Sequence, residues 1–499
     1  MNRLYVLMIT IALFASSCND WLDVRPDTEQ KDKDLFTSYK GFKDALTGCY
    51  MSLASTDIYG ERLSMSNIES LANLWYQFNN STRYEDYNLM KHDYTSDYSK
   101  SAFKAIYAGL FNVIAQANMI IKNAEANGDV IEDPAVRAVI TGEAYAIRAF
   151  CQFDVLRLFG QLPKGAVRQV ELPYSETASI AEMPTYYSYG DYVVKLESDL
   201  SKAESLLKDN DPLFQYTFSE LNSVKGNELS DSYMYYRQSR MNYWAVKGIQ
   251  ARMYLYLGEK EKAYHLAREI IDAKGVDGES VASMSGEIDI VGGCRACPSE
   301  CLLYFSKYNV KTYSTKFLIG TKTNINVDAS HLVISSKMLG DLYSGQNIAS
   351  HNRYLGWWNR NVKDQYSELF AALTKYDYSD ELLQDRKVYC QIIPMLRMSE
   401  IYLIAIETSS DLDEVNELYH DYMLAHDVVL NSDAFGSLND VPVRVVDEYR
   451  REFYGEGQMF YTYKRTGATD MLWRDKTVGE EDYILPLPET EYNPNSQNK

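Results

Sequence analysis

The chain has 499 residues, 50 basic against 70 acidic, with a formal net charge of −20 at pH 7. That balance argues against a nucleic-acid partner, whose phosphates need Lys and Arg, and against polybasic docking onto a membrane surface. The length allows one to three domains around a large core. Its 42 tyrosines, apolar in body and polar at the tip, suit ligand grooves as well as helical packing.

The first eighteen residues read as an export signal. Arg3 precedes an apolar run from Leu4 to Ala15, and Ala15-Ser16-Ser17-Cys18 comes next. This is a charged head, an apolar middle and small residues before a cut site. The run is shorter than the ~20 residues a membrane span needs. A cysteine at the cut point has the layout of a bacterial lipobox, with Ala15 standing where Leu is preferred. Cys18 is therefore expected to become a lipidated N-terminus outside the cytoplasm, where ATP and nicotinamide pools are out of reach.

Helical periodicity dominates the chain beyond this signal. Phe103, Ile106, Tyr107, Leu110, Ile114, Ala117 and Ile121 recur at helix spacing, and Asn127-Gly128 is a stop signal. Asp133-Pro134 starts a second helix with Asp as N-cap and Pro in the first turn. Its apolar stripe is Val136, Val139, Ile140, Ala144, Ile147 and Phe150, and Gly160 and Pro163 end it. In residues 243–270, Ala251, Tyr254, Gly258, Ala263 and Ile270 occupy the small, aromatic, Gly, Ala and aliphatic positions of a tetratricopeptide repeat. A weaker echo, with Ser399 and Tyr402, runs from Pro394 to Glu407. Residues 276–380 are richer in Gly, Ser, Asn and Asp, and such irregular stretches on a helical scaffold are usually functional or disordered. Within them His331–Ser335 reads as a short strand. Residues 446–466 turn helical again, and the tail from Tyr483 is extended.

Six cysteines remain beyond Cys18. Cys294, Cys297 and Cys301 cluster, but a structural zinc site needs four ligands and no fourth lies nearby. A disulfide inside the cluster, or free thiols, is expected instead of a metal. Catalytic signatures are missing: there is no His-Glu-x-x-His, no Gly-x-Ser-x-Gly and no phosphate-cradling Gly-rich loop. A binding protein without cofactor is expected, and a surface glycan hydrolase or peptidase is the rival of a different class.

Three segments together carry a family resemblance. The first is Cys18-Asn-Asp-Trp-Leu-Asp-Val-Arg-Pro26. The second is Glu143-Ala-Tyr-Ala-Ile-Arg-Ala-Phe-Cys-Gln-Phe-Asp-Val-Leu-Arg-Leu-Phe-Gly160, with Pro163 after it. The third combines Pro394-Met-Leu-Arg-Met-Ser-Glu-Ile-Tyr-Leu-Ile-Ala-Ile-Glu407, Arg450-Arg-Glu-Phe-Tyr-Gly-Glu456, Tyr463-Lys-Arg-Thr-Gly467, Ile484-Leu-Pro-Leu-Pro488 and Asn493-Pro-Asn495. The set resembles the SusD/RagB family of outer-membrane nutrient-binding lipoproteins. Two departures are Gly457-Gln458-Met459-Phe460, where the family usually has a His-Arg pair before an aromatic, and Ile406-Glu407-Thr408 in place of Ala-Glu-Ala.

The resemblance implies a mostly all-α fold, in which four tetratricopeptide-like hairpins support an irregular ligand-facing half with a few short strands. It divides the chain into a signal peptide (1–17), a lipidated extended segment (18–40), a helical region (41–275), a loop-rich ligand-facing region (276–390) and a C-terminal region (391–499). It also implies a cell-surface position on the outer membrane and a SusC-like TonB-dependent transporter, which the lipoprotein caps as a lid. The ligand would be an oligosaccharide or, in the alternative, an oligopeptide.

Glycan sites need flat aromatic faces for sugar C–H faces, with amides, carboxylates and Arg for hydroxyls. Two segments offer that mixture in expected loops: Trp75, Tyr76 and Arg83 in one, and Asn352, Arg353, Trp357, Trp358 and Asn359 around a flexible Gly356 in the other. These eight are the candidate ligand contacts. Trp21 and Trp473 are expected to pack.

Overall fold

The computed structural model describes residues 35–178, 182–224, 229–323, 325–385, 387–489 and 491. The export signal, Cys18, Trp21 and the Asn493-Pro494-Asn495 motif lie outside them. The scaffold is a stack of helices: α1 (Tyr39–Leu53), α2 (Asp97–Asn127), α3 (Pro134–Phe159), α4 (Tyr189–Leu207), α5 (Tyr243–Leu257) and α6 (Lys260–Asp272). In this stack α1 packs on α2, α2 on α3, α3 on α4, α4 on α5 and α5 on α6.

Local chemistry sets the boundaries. The Asp133 side chain accepts from Ala135 N at 2.8 Å, Pro134 opens α3, and the Gly160 N–H closes on Leu156 O at 2.9 Å. Between α5 and α6 the chain turns at Gly258 with φ +79°, a conformation costly for any side chain with a Cβ. Ala251, Ala263 and Ile270 are fully buried beside that turn, as the tetratricopeptide pattern requires.

A short helix α7 (Asn352–Trp357) precedes the C-terminal part of the scaffold, formed by α8 (Met398–Thr408), α9 (Leu412–Ala425), α10 (Val441–Glu452) and α11 (Met459–Thr466). Helix α8 packs on α6, α9 and α10, so the array continues from the N-terminal helices into the C-terminal ones. Residues 446–466 are not one helix. Gly455 and Gly457 both take positive φ, and a Cβ on Gly457 would sit 2.2 Å from Leu63 O, so the chain breaks between α10 and α11 to let two backbones meet.

The region between α6 and α8 holds most of the strands. Strand β1 (Leu172–Tyr174) pairs antiparallel with β2 (Thr185–Tyr187) outside it. Strand β3 (Cys301–Ser306) pairs antiparallel with β8 (Ile392–Arg397). Four strands form a mixed sheet in the order β4 (Asn326–Val327), β6 (Trp358–Asp364), β7 (Leu369–Leu373), β5 (Ile334–Ser335). The expected strand at 331–335 is present in its last two residues. Pro394 belongs to β8, which precedes the helix of the Pro394–Glu407 echo. All six β8 side chains are buried, so β8 lacks the in–out alternation that marks a strand. The six cysteines in the described residues are buried and outside any disulfide, and Cys301 Sγ donates to Cys297 O.

Glu69, on the short helix Asn67–Leu71, sits fully buried where this scaffold meets the Gly455–Gly457 turn, accepting from Gly457 N at 2.6 Å. Burial pushes its carboxyl up to about 8, against the pull of that N–H and of Lys375. A raised folded value stabilises the protein fully below the unfolded value of about 4.3, and the contribution is lost as pH rises through about 8. Glu69→Gln keeps the acceptor and removes the titration. The variant is expected to melt higher than the parent at pH 8–9, the gap growing by at most about 1.4 kcal/mol per pH unit between about pH 4.3 and 8 and levelling off above that. Parallel melting curves from pH 4 to 9 would rule this out.

Candidate functional site

The segment 351–360 is not a loop. Asn352 to Trp357 form α7, which runs directly into β6 at Trp358. Gly356 is small for close approach, since a Cβ there would lie 2.2 Å from Ile290 Cγ2. Five of the eight expected ligand contacts are buried, and their polar atoms are mostly committed within the protein.

Arg353, fully buried, donates to Glu300 Oε1 at 2.7 Å and to both Glu452 carboxylate oxygens at 3.3 Å. Arg397 bonds the same Glu300 at 2.8 Å and Glu452 at 2.7 Å, and reaches Glu456 at 2.9 Å. Lys375 Nζ reaches Glu456 at 2.6 Å, and His426 Nε2 lies 2.8 Å from Glu452 Oε2. Trp357 covers this network. Its ring lies 3.8 Å from Lys375 Nζ and 5.3 Å from the Arg353 guanidinium, and its Nε1 donates to Arg295 O at 2.8 Å. Asn352 Nδ2 donates to Ala425 O at 2.9 Å and to Asp427 at 2.7 Å. The Trp, Arg and Asn that suggest sugar recognition therefore recognise buried carboxylates and carbonyls of the same chain.

Trp75 and Trp358 do come together, but inside the core. Both pack edge-on against the Tyr454 ring, at 5.2 and 5.0 Å. Asn352, Arg353, Trp357, Trp358 and Trp75, expected at a ligand, are all buried here, because long-range packing covers each of them. Tyr76, Arg83 and Asn359 are half-buried. Tyr76 stacks edge-on with Phe78 and Phe370, Arg83 pairs with Glu61 (2.7 Å) and Asp86 (2.6 Å), and Asn359 donates to Gly320 O and Lys322 O.

A cleft of about 420 Å³ lies elsewhere, in the size range of small-molecule sites. Its walls come from 213–222, the first turn of α5, the turn at 275–283, the loop 289–299 and Tyr389. Three half-buried aromatic side chains line it: Tyr216, Trp244 and Tyr389. None of the eight expected contacts does.

Sequence-local devices hold these walls. Thr217 and Glu220 form a capping box, with Thr217 N to Glu220 Oε2 at 2.7 Å and Glu220 N to Thr217 Oγ1 at 3.2 Å. Asn242 caps α5 by accepting from Ala245 N at 2.9 Å, which sets Trp244 in the first turn. The antiparallel bridge between Lys274 and Ser280 closes the 275–279 turn. Asn222 Nδ2 donates to Gln238 Oε1 at 2.6 Å, while Gln238 Nε2 donates to Cys301 O at 2.8 Å and Pro298 O at 3.3 Å. Asp289 accepts from Ser299 Oγ at 2.7 Å.

Two other concavities fit a ligand less well. A groove of about 720 Å³ between α6 and the α8–α9 turn has a single aromatic, Tyr264, whose hydroxyl bonds Glu414. A smaller one beside α1 has four tyrosines, of which three hydroxyls are bonded internally: Tyr50 to Glu143, Tyr233 to Lys43 O and Tyr235 to Leu229 N. Sequence reading missed the 420 Å³ cleft because its residues come from separated segments. The one local signal was Trp244, an aromatic two residues after the helix N-cap Asn242.

Residues 20–221 match the family model SusD-like_3, described as starch-binding associating with outer membrane. A SusD superfamily protein of Bacteroides thetaiotaomicron superposes with a TM-score of 0.69, covering 92% of this chain and 98% of its own at 19% identity, so the two share a fold. Residues 20–221 thus resemble SusD-like proteins, and the fold is shared with a SusD superfamily structure. SusD-like protein P2 of Formosa agariphila is 24% identical over 165 residues, 33% of this chain and 31% of its own. A SusD-like protein of Bacteroides ovatus is 23% identical over 291 residues, 55% of this chain and 45% of its own. The match thus spans less than half the length of either curated relative. Of the stack α1–α6 only α5 lines the aromatic cleft, through Trp244; the connection from α4 to α5 supplies 213–222 and Gln238, and the irregular region after α6 supplies the rest.

Proposed function

We propose that this chain is a SusD-like binding protein that captures oligosaccharides in the Tyr216–Trp244–Tyr389 cleft. In this reading it is held at the cell surface by a lipid on Cys18. It hands its ligand to a SusC-like TonB-dependent transporter, which it caps as a lid. The cleft carries the proposal. Aromatic faces suit sugar C–H faces, and the amides of Asn222 and Gln238, the carboxylates of Asp277 and Asp289 and the hydroxyls of Ser280, Ser283 and Ser299 suit sugar hydroxyls. The family description supports carbohydrate as the ligand class and the outer membrane as the location. Tyr76, Arg83 and Asn359 are kept as secondary contacts because they are half-buried.

Titration calorimetry against an oligosaccharide panel tests the reading. Trp244→Ala is expected to weaken the best binder about tenfold, since one aromatic face is worth about 1.4 kcal/mol. The partial exposure of Trp244 leaves the fold intact. Unchanged glycan affinity in this variant, or binding of oligopeptides in place of glycans, would defeat the proposal.

A further inference from the structure

The cleft has a one-sided hydrogen-bonding and charge character. Among the described residues, none of its lining side chains is basic, while Asp277 and Asp289 are both acidic. Lys274 stays outside the lining, with its Nζ 3.3 Å from Ser280 Oγ on the exposed turn. The hydroxyl hydrogens of one wall are already spent. Ser299 Oγ donates to Asp289 Oδ2, which leaves Ser285 Oγ to donate to Ser299 at 2.7 Å.

Asn222 adds an independent observation. It lines the cleft, is 6% exposed, and its Oδ1 has no hydrogen-bond partner among the described residues. Its orientation is fixed. Gln238 Nε2 donates to two backbone carbonyls, so Gln238 Oε1 must accept, and Asn222 must offer its Nδ2 there. A lining residue thus carries a buried amide oxygen without a donor, and its amide donors face Gln238 and not an anion.

We infer that the cleft selects uncharged, hydroxyl-rich oligosaccharides and rejects glycans carrying carboxylate or sulfate groups at the bound units. A neutral sugar brings O–H donors to the two aspartates. A uronate or sulfate ester replaces donors with acceptors and sets negative charge beside Asp277 and Asp289 with no cation in the lining. Such like-charge contact is a strong discriminator. The chain's net charge of −20 adds to it at long range.

The inference rests on the proposed glycan function, and one experiment separates the two. Neutral glucan, xylan and galactan oligosaccharides are titrated into the full protein beside the same backbones oxidised to the carboxylate at C6, where that carbon exists, or sulfated. The best neutral ligand is expected to lose at least about tenfold in affinity on gaining the charge. The pair Asp277→Asn and Asp289→Asn, which keeps size and one acceptor oxygen on each side chain while removing the charge, is expected to shrink that gap at least about threefold, as is high salt. Equal or tighter binding of the charged forms, or a gap untouched by the double variant, overturns the selectivity and leaves the proposed function standing. Binding of no oligosaccharide at all removes both.

Discussion

Replacing Arg397 with methionine is expected to cost about 3–5 kcal/mol of folding stability, the range for removing one partner of a buried ion pair. Arg397 is fully buried and is the only side chain bonded to Glu300, Glu452 and Glu456 together among the described residues. Without it Arg353, Lys375 and His426 remain, and Glu300, Glu452 and Glu456 lose their shared donor. Because these carboxylates join β3's approach, α10 and the turn after it, the loss acts on the contact between the loop-rich region and the C-terminal helices. Lysine is expected to rescue little, because a single ammonium cannot replace a planar fork that binds three carboxylates.

Acid should narrow the difference. Burial by itself would raise Glu300 and Glu452, but Arg397 and Arg353 outweigh it, and His426 adds to the effect on Glu452. Glu300 is held below, and Glu452 well below, the usual carboxylate range. Depressed carboxylates stabilise the protein above their unfolded value of about 4.3 and lose that contribution as pH falls through their folded values. Urea unfolding at pH 7 and again at pH 4 measures both effects. A loss under about 1 kcal/mol at pH 7 would mean that the network is solvated and the account wrong.

Trp357→Ala is expected to destabilise by about 3–5 kcal/mol, as for other buried aromatic truncations, while leaving glycan affinity of the folded protein unchanged. The ring is fully buried and packs against Lys375 and Arg353. Its removal opens a void and exposes the charge network to it. Trp357→Phe keeps a ring but loses the Nε1 bond to Arg295 O, so a smaller cost of about 1 kcal/mol is expected. Thermal unfolding ranks the variants, and calorimetry on the folded fraction reads the affinity. An alanine variant as stable as the parent but unable to bind sugar would return Trp357 to the ligand site.

These two residues show where sequence reading stops. Trp357 and Arg353 belong to a group of aromatic, guanidinium and amide side chains that serves a sugar or a buried carboxylate equally well. The choice depends on Glu300, Glu452 and Lys375, which lie 18 to 99 positions away in the chain. Gly356 reads as flexibility, yet its need is room for Ile290. The cleft was invisible for the same reason: Tyr216, Asn222, Trp244, Asp289 and Tyr389 become neighbours only when five segments converge.

The sequence by itself determined the helical scaffold. Asp133-Pro134, Gly160, Gly258 and the apolar stripes act over three to five residues, so their caps, turns and faces are decided locally and survive into the fold. Tertiary structure alone decided which aromatic residues face solvent. Burial is a property of long-range contacts. The same Trp that could meet a sugar is buried when Lys375 and Arg353 close on it, and remains half-exposed at Trp244, where segments 213–222 and 275–299 leave a gap.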